Sequence, residues 1–176
     1  IITNDDDLAT KLRMIVNHGQ SKRYYHDSIG VNSRLDAMQA AILKVKLKYL
    51  DDYNEARRIV ADRYDEAFSK SDKVTIPLRS EFSTHVFHQY TIKLADGVDR
   101  DGLNTFLAEK GIPSMIYYPV PNHLQKAYSF YGYKQGDFKT TEDLCSCVIS
   151  FPIHTEMDEH QQQIIINGVL EYLSAS

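Results

Sequence analysis

Ten apolar residues recur along the middle of this chain at alternating three- and four-residue steps: Leu35, Met38, Ile42, Val45, Tyr49, Tyr53, Ala56, Val60, Tyr64 and Ala67. That spacing keeps all of them on one side of an α-helix. Charged residues fill the other faces, Arg58 and Asp62 four apart among them. The period predicts one helix over residues 36–70, longer than a helix enclosed within a single globular domain. Such a helix either links two domains or pairs with another chain along its stripe.

The flanks differ. Before the helix, Ile1-Ile2 reads as the end of a buried strand, and Thr3 or Asn4 can cap a helix whose first turn holds Asp5, Asp6 and Asp7. Leu8, Leu12, Ile15 and Val16 give that helix its apolar side, Gly19 terminates it, and residues 20–31 read as an irregular linker. After the helix, short strands and helices alternate. Val74-Thr75-Ile76 is one strand; Val86, His88, Tyr90, Ile92 and Leu94 alternate with Phe87, Gln89, Thr91 and Lys93 in a second. Asp99 or Asp101 opens a helix that Gly111 closes. A strand over 112–118, a Pro-bounded loop, helical stretches near 122–131 and 138–147, and the buried-looking Val148–Phe151 follow. Thr155 and Asp158 resemble a capping box before a final helix to about Leu173. The fold class is α/β: a compact domain hung from a long helix, with segments 1–35, 36–70 and 71–176.

Composition narrows the function. The chain has 176 residues, a formal net charge of −4 and 25% charged residues, with no basic cluster suited to nucleic acid. No apolar run approaches the ~18 residues of a membrane span. No charged-then-apolar leader is visible at Ile1. The cysteines Cys145 and Cys147, two apart, are read as unpaired thiols of a reducing cytoplasm. His85 and His88 are three apart on the second strand, face opposite sides and gather no metal-spaced partner, so no metal is assigned. His18 and His154 are read as shaping a helix end and a turn.

One constellation carries chemistry. Asn32-Ser33-Arg34-Leu35-Asp36 stands where the long helix begins, with Ser33 and Asp36 in capping-box spacing. Helix N-termini hold spare N–H donors and partial positive charge, so they bind anions. Asn32 adds a neutral donor and Arg34 a fork suited to phosphate or carboxylate. On these five residues alone, a plain cap beside a surface arginine is the commoner reading.

The wider pattern adds a resemblance. Asn17-His18-Gly19-Gln20, Tyr25-His26, Ile29-Gly30-Val31-Asn32-Ser33-Arg34-Leu35-Asp36 and Gln39-Ala40-Ala41-Ile42-Leu43 follow one another in order. Tyr117-Tyr118-Pro119-Val120-Pro121-Asn122-His123-Leu124-Gln125 and Ser150-Phe151-Pro152-Ile153-His154 come later. Together they closely resemble the DegT/DnrJ/EryC1/StrS sugar aminotransferases, and the resemblance extends along the whole chain.

The resemblance implies the C-terminal half of a fold-type-I enzyme that uses pyridoxal 5'-phosphate. Residues 1–35 would end the large cofactor domain and include the phosphate-contacting loop. Residues 36–70 would be the interdomain helix, and 71–176 a small α/β domain with a short, mainly antiparallel sheet. Such enzymes pass an amino group from glutamate to a keto-sugar nucleotide in amino-sugar biosynthesis, for cell-surface polysaccharide or secondary metabolites. They work in the cytoplasm as homodimers with shared active sites. Asn32 matches the residue that reaches the cofactor phosphate of the neighbouring subunit. Arg34, His123, Tyr117 and Tyr118 match substrate-side positions. The family's Schiff-base lysine motif has no match here and is expected upstream of Ile1. Lys22 is a loop lysine near Asn32, and the chain alone is expected to be inactive. A dehydratase relative, with that lysine replaced, and a non-catalytic dimerisation domain are the alternatives.

Overall fold

The computed structural model describes residues 1–175. It divides into two compact units, Ile1–Leu50 and a second that begins at Asp51.

The first unit opens with α1 (Asp6–Val16). Its cap is Asp5 rather than Thr3 or Asn4: the Asp5 carboxylate accepts the Leu8 N–H at 2.9 Å, and the carboxylates of Asp6 and Asp7 face the positive end of the helix. The linker read as irregular contains a small antiparallel hairpin, β1 (Gln20–Lys22) and β2 (Tyr25–His26). The long helical segment is two α-helices in succession. These are α2 (Ala37–Lys46) and α3 (Leu50–Phe68), joined by a single 3-10 turn over Leu47–Tyr49.

The second unit carries the hydrophobic core. Strands β3 (Val74–Thr75), β4 (Tyr90–Leu94) and β5 (Val148–Phe151) form an antiparallel sheet with β4 in the middle. Its register pairs Val74 with Leu94, Ile92 with Ile149 and Tyr90 with Phe151. Period-two alternation in β4 buries Tyr90, Ile92 and Leu94 on one face. Against them α3 brings Val60, Ala61, Tyr64 and Phe68. The Tyr64 ring lies 4.9 Å from Tyr90 and 5.6 Å from Phe68, and its hydroxyl donates to the Pro152 carbonyl at 2.9 Å. Leu103 and Leu107 of α4 (Arg100–Glu109) and Ile165, Ile166, Val169 and Leu173 of α6 (Glu159–Ala175) complete the core. Between them runs α5 (Lys139–Cys147). Buried Gln162 donates to the Val60 carbonyl at 2.5 Å, so its amide is not left unpaired inside the core.

Several local expectations change for identifiable reasons. The second strand begins at Tyr90, not Val86, because Phe87 takes φ +44° and turns its side chain into the core out of phase. His85 and His88 therefore do not sit on a strand, and the His85 ring nitrogen instead accepts the Phe87 N–H at 2.8 Å. Arg79 holds the preceding loop down. Its guanidinium bridges Asp62 and Asp65 on α3 at 2.7 and 2.6 Å and lies over the Phe87 ring at 4.8 Å. The strand expected over 112–118 shrinks to one bridge between Met115 and Ser150. The stretch near 122–131 is two 3-10 segments. Asp99 caps α4. At α6 the reciprocal box is Asp158 with Gln161, not Thr155 with Asp158: each side chain accepts the other's N–H, at 2.7 and 3.2 Å. Among the described residues no helix is long and apolar enough to cross a membrane.

Candidate functional site

In the first unit, two glycines place Asn32. Gly19 ends α1 with φ +73°, its N–H bonded to the Met14 carbonyl at 2.8 Å. The chain then makes the β1–β2 hairpin and returns alongside the end of α1. His18 N–H donates to Val31, Val31 N–H to Ile15 and Ser33 N–H to Val16, all between 2.8 and 3.0 Å. Asn17 and Asn32 form an isolated antiparallel bridge. This approach leaves no room for side chains. A Cβ on Gly30 would stand 2.1 Å from the Gly19 nitrogen, and one on Gly19 would stand 1.8 Å from the Ser28 oxygen. His26 fastens the hairpin by donating from Nδ1 to the His18 carbonyl at 2.8 Å. At the hairpin tip Lys22 lies over Tyr25 and Arg23 over Tyr24.

The result is a backbone-anchored, exposed Asn32 side chain. Arg34 Nε donates to Asn32 Oδ1 at 3.1 Å. With Oδ1 engaged as acceptor, the Nδ2 donors are the part of Asn32 suited to an anionic oxygen, and the Arg34 guanidinium supplies the countercharge. The helix terminus does not contribute as its capping-box spacing implies. The cap is Asp36, whose carboxylate accepts the Met38 N–H at 2.8 Å. Ser33 spends its own N–H on α1 instead. A carboxylate already occupies that end of α2, which leaves the Asn32 and Arg34 side chains as the groups there that could hold an anion.

In the second unit, Tyr117 and Tyr118 meet at 5.7 Å in an edge-on arrangement. Together with Pro121, Asn122 and Leu144 they line a cleft of about 250 Å³. A neighbouring pocket of about 220 Å³ has His123, Tyr128, Tyr131, Tyr133 and Phe138 in its wall, with Asn122 shared between the two. Tyr118 is exposed and Tyr117 half-buried. The His123 side chain is only 8% exposed: Nε2 lies 3.0 Å from Glu142 Oε1, and the ring packs on Phe138 at 4.8 Å. Glu142 also accepts the Gly136 N–H on both oxygens at 2.9 Å and the Phe138 N–H at 3.3 Å. The Gly136 N–H holds its carboxyl below the usual range despite partial burial, helped by Phe138 and His123.

Glu142 is absent from the sequence-derived site, because no spacing connects a residue at the start of α5 to a histidine nineteen positions earlier. Gly30 was legible in the motif, but its steric role was not. Asn32 and Arg34 come together, as do Tyr117 and Tyr118, while His123 lines the adjacent pocket and pairs with Glu142. Among the described residues no group of three or more His, Cys, Asp or Glu gathers as a metal site.

The chain belongs to the DegT/DnrJ/EryC1/StrS aminotransferase family, whose model matches residues 1–170. It is 44% identical to a Geobacillus stearothermophilus protein described as a pleiotropic regulatory protein, over 98% of this chain and 46% of that one. It is 38% identical to the dTDP-3-amino-3,6-dideoxy-alpha-D-galactopyranose transaminase of Aneurinibacillus thermoaerophilus, again over 98% and 46%. The crystal structure of S. venezuelae DesV in complex with a ketimine intermediate superposes with TM-score 0.89 at 33% identity, covering 98% of this chain and 46% of that one. Bacillus subtilis NtdA with bound cofactor PMP superposes with TM-score 0.85 at 29% identity, covering 98% and 41%. The chain therefore spans about half the length of the curated relatives it matches.

Proposed function

We propose that this chain forms part of a pyridoxal-phosphate aminotransferase that moves an amino group from glutamate to the keto carbon of a nucleotide-linked sugar, for cell-surface polysaccharide or secondary-metabolite synthesis. Membership of the family supports the reaction class, the 38%-identical transaminase supports a sugar nucleotide, and the bound PMP of the 29%-identical structure supports the cofactor. The observation that carries the reading is the Asn32–Arg34 pair, an exposed donor set fixed on a loop by two obligatory glycines.

When bound, the cofactor supplies the electron sink and carries the amino group between the two substrates. The residues of this chain do the holding. Asn32 donates Nδ2–H to a phosphate oxygen of the cofactor lying in a second subunit, so two copies share each site. Arg34 takes an acidic group of the sugar nucleotide. Tyr117 and Tyr118 wall the sugar nucleotide off from water, and His123 presents its ring to it. Residues 1–35 serve as the end of the cofactor domain, 36–70 as the interdomain helix and 71–176 as the small domain. The enzyme is cytoplasmic, and this chain without a Schiff-base lysine does not transaminate.

The test is to purify the full-length protein and record its absorption spectrum with pyridoxal phosphate. Amino transfer from glutamate is then assayed across dTDP- and UDP-linked keto-sugars. A cofactor band that glutamate bleaches, together with an amino-sugar nucleotide product, is expected. No cofactor band and no product with any acceptor would remove the reading.

A further inference from the structure

Glu142 has more hydrogen bonds than a surface carboxylate needs. It lies in the first turn of α5, yet its oxygens collect the Gly136 and Phe138 N–H groups and face His123 Nε2 at 3.0 Å. Three separate pieces of chain meet there: the 3-10 turn Asn122–Leu124, which has no side-chain cap of its own, the turn around Gly136, and the first turn of α5. The pair is secluded, with side-chain exposures of 8% for His123 and 16% for Glu142.

The chemistry of the pair decides more than packing. A carboxylate surrounded by N–H donors stays ionised, and an ionised carboxylate can only accept. Nε2 of His123 must therefore carry the proton. Nδ1 is the nitrogen left over, and the ring packs against the tilted Phe138 ring at 4.8 Å. A glutamine in place of Glu142 would fill the same space without imposing this choice, because its amide offers both a donor and an acceptor.

We propose that Glu142 is a positioning residue for sugar-nucleotide binding: acting through His123, it sets which imidazole nitrogen meets the substrate and fixes the ring in the wall of the aromatic pocket. This rests on the reading of His123 as a substrate-side residue. It assigns Nδ1 of His123 to a polar group of the sugar nucleotide and gives the Gly136 turn a function, which is to keep Glu142 charged.

The experiment uses the full-length enzyme with Glu142→Gln, His123→Ala and the double variant, measuring kcat and KM for the sugar nucleotide. Glu142→Gln should raise KM about tenfold with kcat nearly unchanged, the scale of one lost charge-assisted hydrogen bond to a ligand. It should add nothing further in the His123→Ala background, since a residue that acts only through another has no effect once that one is gone. If His123→Ala raises KM but Glu142→Gln does not, or the two effects add, the positioning role is overturned while His123 keeps its place. If His123→Ala leaves KM unchanged, the substrate-side reading fails first and this inference with it. Should Glu142→Gln not fold, nitrogen-15 shifts of His123 in the unaltered enzyme decide: a protonated Nε2 supports the role, and a ring protonated only at Nδ1 contradicts it.

Discussion

One apolar stripe runs along α2 and α3, yet its two ends live in opposite environments. Met38, Ile42 and Val45 are 74%, 55% and 59% exposed, whereas Val60 and Tyr64 are 3% and 0% exposed. The periodicity is the same at both ends; the neighbours differ. From Val60 onward the stripe packs into a core with residues of β4, β5 and α6. In the first unit, among the described residues, only Gly19 is buried, and Leu8, Ile15, Val31, Leu35 and Leu43 also stand exposed. Helical spacing says which face seeks cover, and only tertiary structure says what provides it. The two units should therefore answer very differently to the same kind of perturbation.

Truncating the stripe at its two ends gives the largest contrast. Tyr64→Ala removes a fully buried ring that touches Tyr90, Phe68 and Phe151 and donates to the Pro152 carbonyl. It should cost about 3–5 kcal/mol of unfolding free energy, as large aromatic deletions in cores do. Ile42→Ala, on the exposed end, should stay within about 0.5 kcal/mol in this chain. Urea denaturation of both variants measures the difference, and equal losses would break the comparison.

A smaller effect sharpens it through pH. Burial pushes the phenol pKa values of Tyr64 and Tyr90 upward, and for Tyr90 the hydrogen-bonded Asp65 carboxylate adds to the shift. Both groups are neutral in the fold, and their folded values lie above the unfolded value of about 10. The stability they contribute is thus fully present below that value and is lost as pH rises past it, because the unfolded chain then releases protons that the folded one retains. In an alkaline titration, phenolate absorbance equal to two tyrosines should appear only together with the loss of helical circular dichroism. Complete tyrosine ionisation before unfolding would show that the second unit does not hold its core as described.

Much of this was legible in the sequence because it is local. The helical stripe, the Asp99 cap, the Gly111 stop and the inward set Tyr90, Ile92 and Leu94 all follow from spacing within one or two turns. What escaped was set by distant partners. Phe87 breaks strand alternation because the pocket between Arg79 and Tyr90 takes its ring, and the necessary positive φ leaves no compositional trace in a phenylalanine. The helix cap lies at Asp36 rather than Ser33, whose amide bonds to the Val16 carbonyl at the end of α1. In the candidate site, Asn32 and Arg34 could be named from the motif. Glu142 could not, since its bond to His123 exists only once the Gly136 turn folds back.

We propose that Asn32, held by the Gly19–Gly30 contact, serves a site shared between two copies of the full-length protein. The most direct measurement mixes two inactive full-length variants. One carries a disabling substitution at Asn32, such as Asn32→Asp, and the other lacks the Schiff-base lysine. Each heterodimer then has one site with both defects and one with neither. Activity should return on mixing, to at most half the wild-type level per heterodimer. No recovery, with heterodimers demonstrated by mass, would place Asn32 in the site of its own subunit and contradict the account.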